Sequence, residues 1–207
     1  MAEKRRTIRV PGTERHQQIM SVATELFARQ GFQGTTTKEI AKQAKMNEAI
    51  LFRHFSSKKD LYWAVIEEKC RMMAGRQSAV ERLEASKDDR AGFTALALDM
   101  LDRYAGDTML MRLLLFSGLE AHELSERFFE TYIAGYYEML AKHIQQRIKS
   151  GELRDVDPLL AARSFLGMVN HYLMVQELFG GKRYQKYDNR LVADTLTTIW
   201  LEGMKKK

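Results

Sequence analysis

Apolar residues recur at helical spacing along almost the whole chain, and no stretch alternates as a strand does. Ile19, Val22, Ala23, Leu26 and Phe27 form one stripe, predicting a helix over residues 14–30 with Thr13 as its cap and Gly31 just past its end. Ile40, Ala41 and Ala44 predict a short helix over 37–44, and Ile50, Leu51 and Phe55 a second over 48–54. Leu61, Tyr62, Val65 and Ile66 predict a fourth, from 58 to about 73. Residues 71–83 continue or restart it, and 87–90 are a polar break. Phe93, Leu96, Met100 and Leu101 predict a helix over 91–104. Residues 109–116 are apolar almost all round, which predicts burial on more than one side. Phe129, Ile133, Tyr136, Leu140, Ile144 and Ile148 share a face of one long helix over 128–148, ended by Gly151. Asp157 and Pro158 open the next helix, which runs to Gly180-Gly181. Asp188 or Asn189 caps the last, which closes on three lysines. The expected fold class is therefore all-α.

The capping residues sharpen the region 35–60. Thr36 and Glu39 have the spacing of a capping box, in which Glu39 reaches back to the cap; Ser57 and Asp60 repeat it. Asn47 is a good N-cap for the second short helix. Two short helices joined by a tight turn make a helix-turn-helix frame, whose second helix enters the DNA major groove. Asn47, Glu48, Ala49 and Ile50 lie at the N-terminal end of that helix, where base edges are read. Glu48 is repelled by phosphate but can accept from a cytosine amino group. Lys58 and Lys59 open the following helix and favour phosphate.

Charge supports the same segment. Residues 1–62 carry 12 Lys+Arg against 6 Asp+Glu, and the remaining residues balance at 21 of each. The whole excess of +6 thus sits with the helix-turn-helix, as phosphate neutralisation requires. Residues 1–12 are expected to be a basic arm, either a free tail or an arm lying on DNA. The single cysteine, Cys70, excludes an intrachain disulfide and a cysteine metal cluster. No apolar run reaches the length of a membrane span, and the charged start lacks the apolar stretch of a secretion signal. A cytoplasmic protein is expected, with no metal or cofactor.

Thr35-Thr36, Glu39-Ile40-Ala41, Ala44, Phe52, Phe55 and Ser57-Lys58-Lys59-Asp60-Leu61, with Leu26 to Phe32 upstream, resemble the tetracycline-repressor (TetR) family of bacterial transcription regulators. The resemblance covers residues 13–65. Lys45 departs from it where a turn glycine is usual, and Ala49 where a small Gly or Pro is common. A lysine forced into a left-handed turn costs on the order of 1 kcal/mol relative to glycine. The resemblance implies a DNA-binding domain over 13–60 and an effector-binding and dimerisation domain over 61–207. It implies DNA contacts at Thr36, Thr37, Lys38, Phe52, His54 and Lys58, beside Asn47, Glu48 and Ala49.

It also implies a small, largely apolar effector in the second domain. Met109, Arg112, Phe116, Tyr132, Tyr136, Phe165, Met168, His171 and Tyr172 are the candidate lining, although a Met or aromatic at helical spacing is core more often than pocket. The helix from Pro158 carries two apolar stripes, Ala162-Phe165-Leu166-Val169-Leu173 and Ala161-Met168-Tyr172-Val175-Phe179. With Val192, Leu196 and Ile199 of the last helix, Phe165, Met168, Tyr172, Val175 and Phe179 suit a four-helix homodimer interface. A dimer places two recognition helices on half-sites of a palindromic operator. The expected function is a homodimeric repressor released by its effector. An architectural DNA binder without an effector is the alternative. An enzyme is a weaker one: the stretch His122-Glu123-Leu124-Ser125-Glu126 lacks the second histidine of a zinc-protease helix, and no phosphate loop or nucleophile elbow appears.

Overall fold

A computed structural model describes residues 12–72, 81, 83, 86, 88–104, 107–120 and 122–206. The basic arm and most of the 71–83 segment lie outside the described residues. The helices are α1 (Gly12–Gly34), α2 (Thr37–Gln43), α3 (Glu48–His54), α4 (Lys58–Met72), α5 (Asp89–Tyr104), α6 (Met109–Glu120), α7 (His122–Phe128), α8 (Ala134–Lys149), α9 (Pro158–Glu177), α10 (Gly181–Tyr184) and α11 (Asn189–Met204). A π-helical turn, Phe129–Ile133, joins α7 to α8. Among the described residues no helix is long and apolar enough to cross a membrane.

Most predicted caps are present. Thr36 Oγ1 accepts from the Glu39 amide at 3.1 Å and Asn47 Oδ1 from the Ile50 amide at 2.9 Å. Asp157 accepts from the Leu160 amide at 2.7 Å, and Asp188 from Arg190 and Leu191. Ser57 Oγ accepts from the Asp60 amide at 3.1 Å, and its hydroxyl donates to Asp60 Oδ2 at 2.8 Å. Glu39 does otherwise than expected: its carboxylate accepts from Gln30 Nε2, tying α2 to α1.

Three predicted elements differ. The first helix starts at Gly12, so Thr13 lies inside it and is not its cap, while its break at Gly31, where φ is 76° and only glycine is unstrained, falls where expected; a short turn then continues to Gly34. The long helix over 128–148 is three pieces, because the π-turn inserts one extra residue where Ala134 N–H bonds Phe129 O. The stretch 109–116 is not buried all round: Leu110 and Leu113 are buried, but Leu115 faces outward.

Contacts divide the chain into two compact units. The first comprises the chain up to Lys69 together with Arg112–His122; the second comprises Cys70–Met111 and Glu123–Lys207. The contact boundary, between Lys69 and Cys70, falls inside α4. Leu61, Tyr62, Val65 and Ile66 of α4 are fully buried, so the helix belongs in large part to the first unit. Tyr62 OH donates to the Leu113 carbonyl at 2.6 Å, the Gln33 amide to Glu120 Oε2 at 2.9 Å, and Arg112 Nε to the Ala28 carbonyl. Burial, then the nearby Glu120 carboxylate, pushes the Tyr62 phenol up from its ordinary pKa, so it stays a donor.

In the second unit α5 lies along α11, and α9 along α8. Phe93 of α5 meets Phe165 at 4.9 Å and Trp200 at 4.6 Å between ring centres. The inward stripe of α9, Ala162, Phe165, Leu166, Val169 and Leu173, is buried throughout. Asp89, in the first turn of α5, accepts from Arg147 at 2.8 Å and lies 3.4 Å from His143 Nε2.

Candidate nucleic-acid interface

The first unit builds a helix-turn-helix from short-range rules. Ile40, Ala44 and Leu51 are fully buried, so α2 and α3 share a core with Ile19, Leu26 and Phe27 of α1. Between them Lys45 takes φ 52°, and Met46 N–H closes the turn on the Ala41 carbonyl at 2.9 Å. The lysine thus occupies the left-handed position that its place in the sequence predicted. Thr36, Lys38, Asn47, Ala49, Phe52 and Arg53 are exposed, while Thr37, Glu48, His54 and Lys58 are half-buried. Phe52 is 46% exposed, a large apolar side chain left outside the core at the recognition helix.

Two of the predicted contact residues hold each other. The Thr37 hydroxyl, at the start of α2, donates to Glu48 Oε1, at the start of α3. Asn47 uses its side-chain oxygen as the cap of α3. Lys58 stands over the Phe32 ring with Nζ 4.3 Å from its centre. Burial lowers the Lys58 pKa from the usual lysine range, against the opposing pull of Glu120.

The apolar stripe of α1 marks it as core, but the fold also brings its His16 to the recognition helix. Its ring stacks on Phe55 at 4.9 Å and lies 6.0 Å from the His54 ring, at the end of the recognition helix. No local pattern joins residues so far apart in the chain; only the fold does.

The nine effector candidates do not converge. Arg112 and Phe116 belong to the first unit, where the Arg112 guanidinium satisfies a backbone carbonyl and lies 5.8 Å from the Phe116 ring centre. Phe165 is core, wedged against Phe93 and Trp200, and His171 is exposed. Met109, Tyr132, Tyr136 and Met168 are half-buried, with Tyr132 5.5 Å from Phe128 between ring centres. A cavity of about 510 Å³ in the second unit is walled by Leu101, Tyr172, Gln176, Lys182, Lys186 and Tyr187, among others; Tyr172 is the one candidate on it. Of the interface candidates, Phe165 and Val192 are buried within the protomer and so face no partner. Met168, Tyr172, Val175 and Leu196 are half-buried. Phe179 and Ile199 are exposed, at 73% and 59%, beside exposed Leu160 and Leu191, which sequence reasoning did not single out.

Comparison with known proteins agrees with this frame. A family model described as bacterial regulatory proteins of the tetR family matches residues 19–65. A second, described as the C-terminal domain of AefR-like transcriptional repressors, matches residues 92–202. The HTH-type transcriptional activator FasR of Mycolicibacterium smegmatis is 32% identical over 111 residues, covering 53% of this chain and 49% of that protein. The chain thus spans about half the length of this relative. The fatty acid metabolism regulator protein of Bacillus subtilis is 24% identical over 199 residues, covering 93% of this chain and 97% of that one. Among solved structures, AibR in complex with isovaleryl coenzyme A and operator DNA superposes with a TM-score of 0.66 at 24% identity, covering 89% of this chain and 97% of that chain.

Proposed function

Because this chain belongs to the TetR family of bacterial regulatory proteins, we propose that it acts as a homodimeric repressor in the cytoplasm, released from a palindromic operator by a small effector with an apolar chain. It is a DNA-binding transcriptional regulator and works by binding, with no catalytic step. One observation carries the proposal: two capped helices, joined at Lys45, share a core and turn Lys38, Ala49, Phe52 and Arg53 outward on the part of the chain that holds its excess positive charge. Phosphate contacts from Lys38 and Lys58 position the helix, and the N-terminal end of α3 reads bases.

The body supplies pairing and sensing. Phe179, Ile199, Leu160 and Leu191 are exposed apolar side chains on α9, α11 and the loop after α9, the two helices taken to form the two-fold interface. The isovaleryl coenzyme A of AibR and the fatty acid regulator among the relatives support an acyl-coenzyme A as the effector class. An effector that binds the DNA-free state more tightly shifts the population away from the operator by that difference in affinity.

Fluorescence anisotropy with DNA from upstream of its own coding sequence tests this. The logarithm of affinity is expected to fall linearly with the logarithm of salt, Lys58→Ala to lower that slope by about 1, and an acyl-coenzyme A series to weaken binding. No duplex binding even at low ionic strength would sink the regulator; binding untouched by every acyl-coenzyme A would leave an architectural protein instead.

A further inference from the structure

The N-terminal end of α3 offers few side chains able to form a hydrogen bond to a base. Asn47 commits its oxygen to the Ile50 amide at 2.9 Å. Ala49 has no polar atom, and Ile50 is apolar and half-buried. Glu48 remains. One of its oxygens accepts from the Thr37 hydroxyl, which ties the carboxylate to the start of the neighbouring helix. That bond leaves the second oxygen, and further lone pairs on the first, open to a donor.

We propose that Glu48 sets the sequence specificity of this regulator by accepting from the N4 amino group of a cytosine in the major groove, and that Thr37 is the positioning residue that aims it. The inference rests on the regulator reading above. A carboxylate only accepts, so the O6 and N7 of guanine and the O4 of thymine repel it. Adenine offers its N6 amino group, but the N7 acceptor beside it repels the second carboxylate oxygen; cytosine has no such neighbour. Phosphate repulsion makes Glu48 a cost on every sequence, and one well-placed donor turns that cost into discrimination between sequences. Without the Thr37 hydroxyl the glutamate side chain spreads over its rotamers, and the discrimination weakens although the charge is still there.

Selection from randomised duplexes with the full chain tests the assignment, run on wild type, Glu48→Gln, Thr37→Val and Thr37→Ser, each first checked for its thermal midpoint. Wild type is expected to select a C·G pair at one position of each half-site, by about tenfold over other pairs. Glu48→Gln moves that position towards adenine, whose N6 and N7 match an amide. Thr37→Val flattens the preference at the same position, and Thr37→Ser, which keeps the hydroxyl, restores it. If Glu48→Gln selects the same base as wild type at every position, Glu48 is not the reader. If Thr37→Val weakens all sequences alike and leaves the preference intact, Thr37 is a phosphate contact and the positioning role fails. A wild type that enriches no site at all would overturn the regulator reading together with this one.

Discussion

Lys45 and Gly31 meet positive φ in two ways: the lysine sits in a left-handed turn, while Gly31, at ψ −178°, holds a conformation that essentially only glycine adopts. Both have positive φ, at 52° and 76°. A side chain there costs about 1–2 kcal/mol, while glycine gives up about 0.5–1 kcal/mol through the freedom of the unfolded chain. Lys45→Gly is therefore expected to stabilise the protein by about 0.5–1 kcal/mol, read from urea unfolding. Gly31→Ala works in the opposite direction, because a Cβ there would also run into the Glu120 carboxylate. The expected loss in the same urea unfolding is about 2 kcal/mol, mostly backbone strain, because the carboxylate is the end of a flexible side chain and can move aside. The Lys45 strain is legible through the family resemblance, which puts a turn glycine at that position. The Glu120 contact is not, since nothing local connects it with Gly31.

Elements whose ends are marked by short-range chemistry are the ones read correctly. Thr36, Asn47, Ser57, Asp157 and Asp188 all cap as their spacing predicts. The π-turn at Phe129–Ile133 is invisible to periodicity, because one inserted residue shifts the face without breaking the apolar rhythm. Phe129, placed on the inner face by that rhythm, is 42% exposed. Helix α5 is fastened to α8 by Asp89, which is the basis of a pH prediction. Burial acts to raise the Asp89 pKa, but the contact with His143 3.4 Å away and the hydrogen bond and charge of Arg147 outweigh it and hold the carboxyl below its ordinary value. A carboxyl with a depressed folded pKa contributes stability that is present above its unfolded value, near 4, and is lost as pH falls through the folded one. Acidification below about pH 4 should thus weaken the fold, and Asp89→Asn should flatten that part of the stability–pH curve. An unchanged slope in thermal melts would count against this ion cluster.

For the molecule as a whole, the two stripes of α9 separate as the sequence suggests. One is core, and the other runs from buried Ala161 to exposed Phe179. Phe165 fills its own protomer against Phe93 and Trp200, and Val192 is buried as well. Phe179→Glu with Ile199→Glu is expected to yield a monomer in sedimentation, with operator affinity down about a hundredfold through lost avidity. The same scale holds the docking of Arg112–His122 onto the first unit, where Tyr62 OH, the Ala28 carbonyl and the Gln33 amide all find partners in that stretch. A fragment cut after Lys69 would strip all three of those partners at once. Anyone building a chimera that carries this reading head on another regulator's body must therefore graft two separate pieces of gene, 112–122 as well as the first sixty-nine codons.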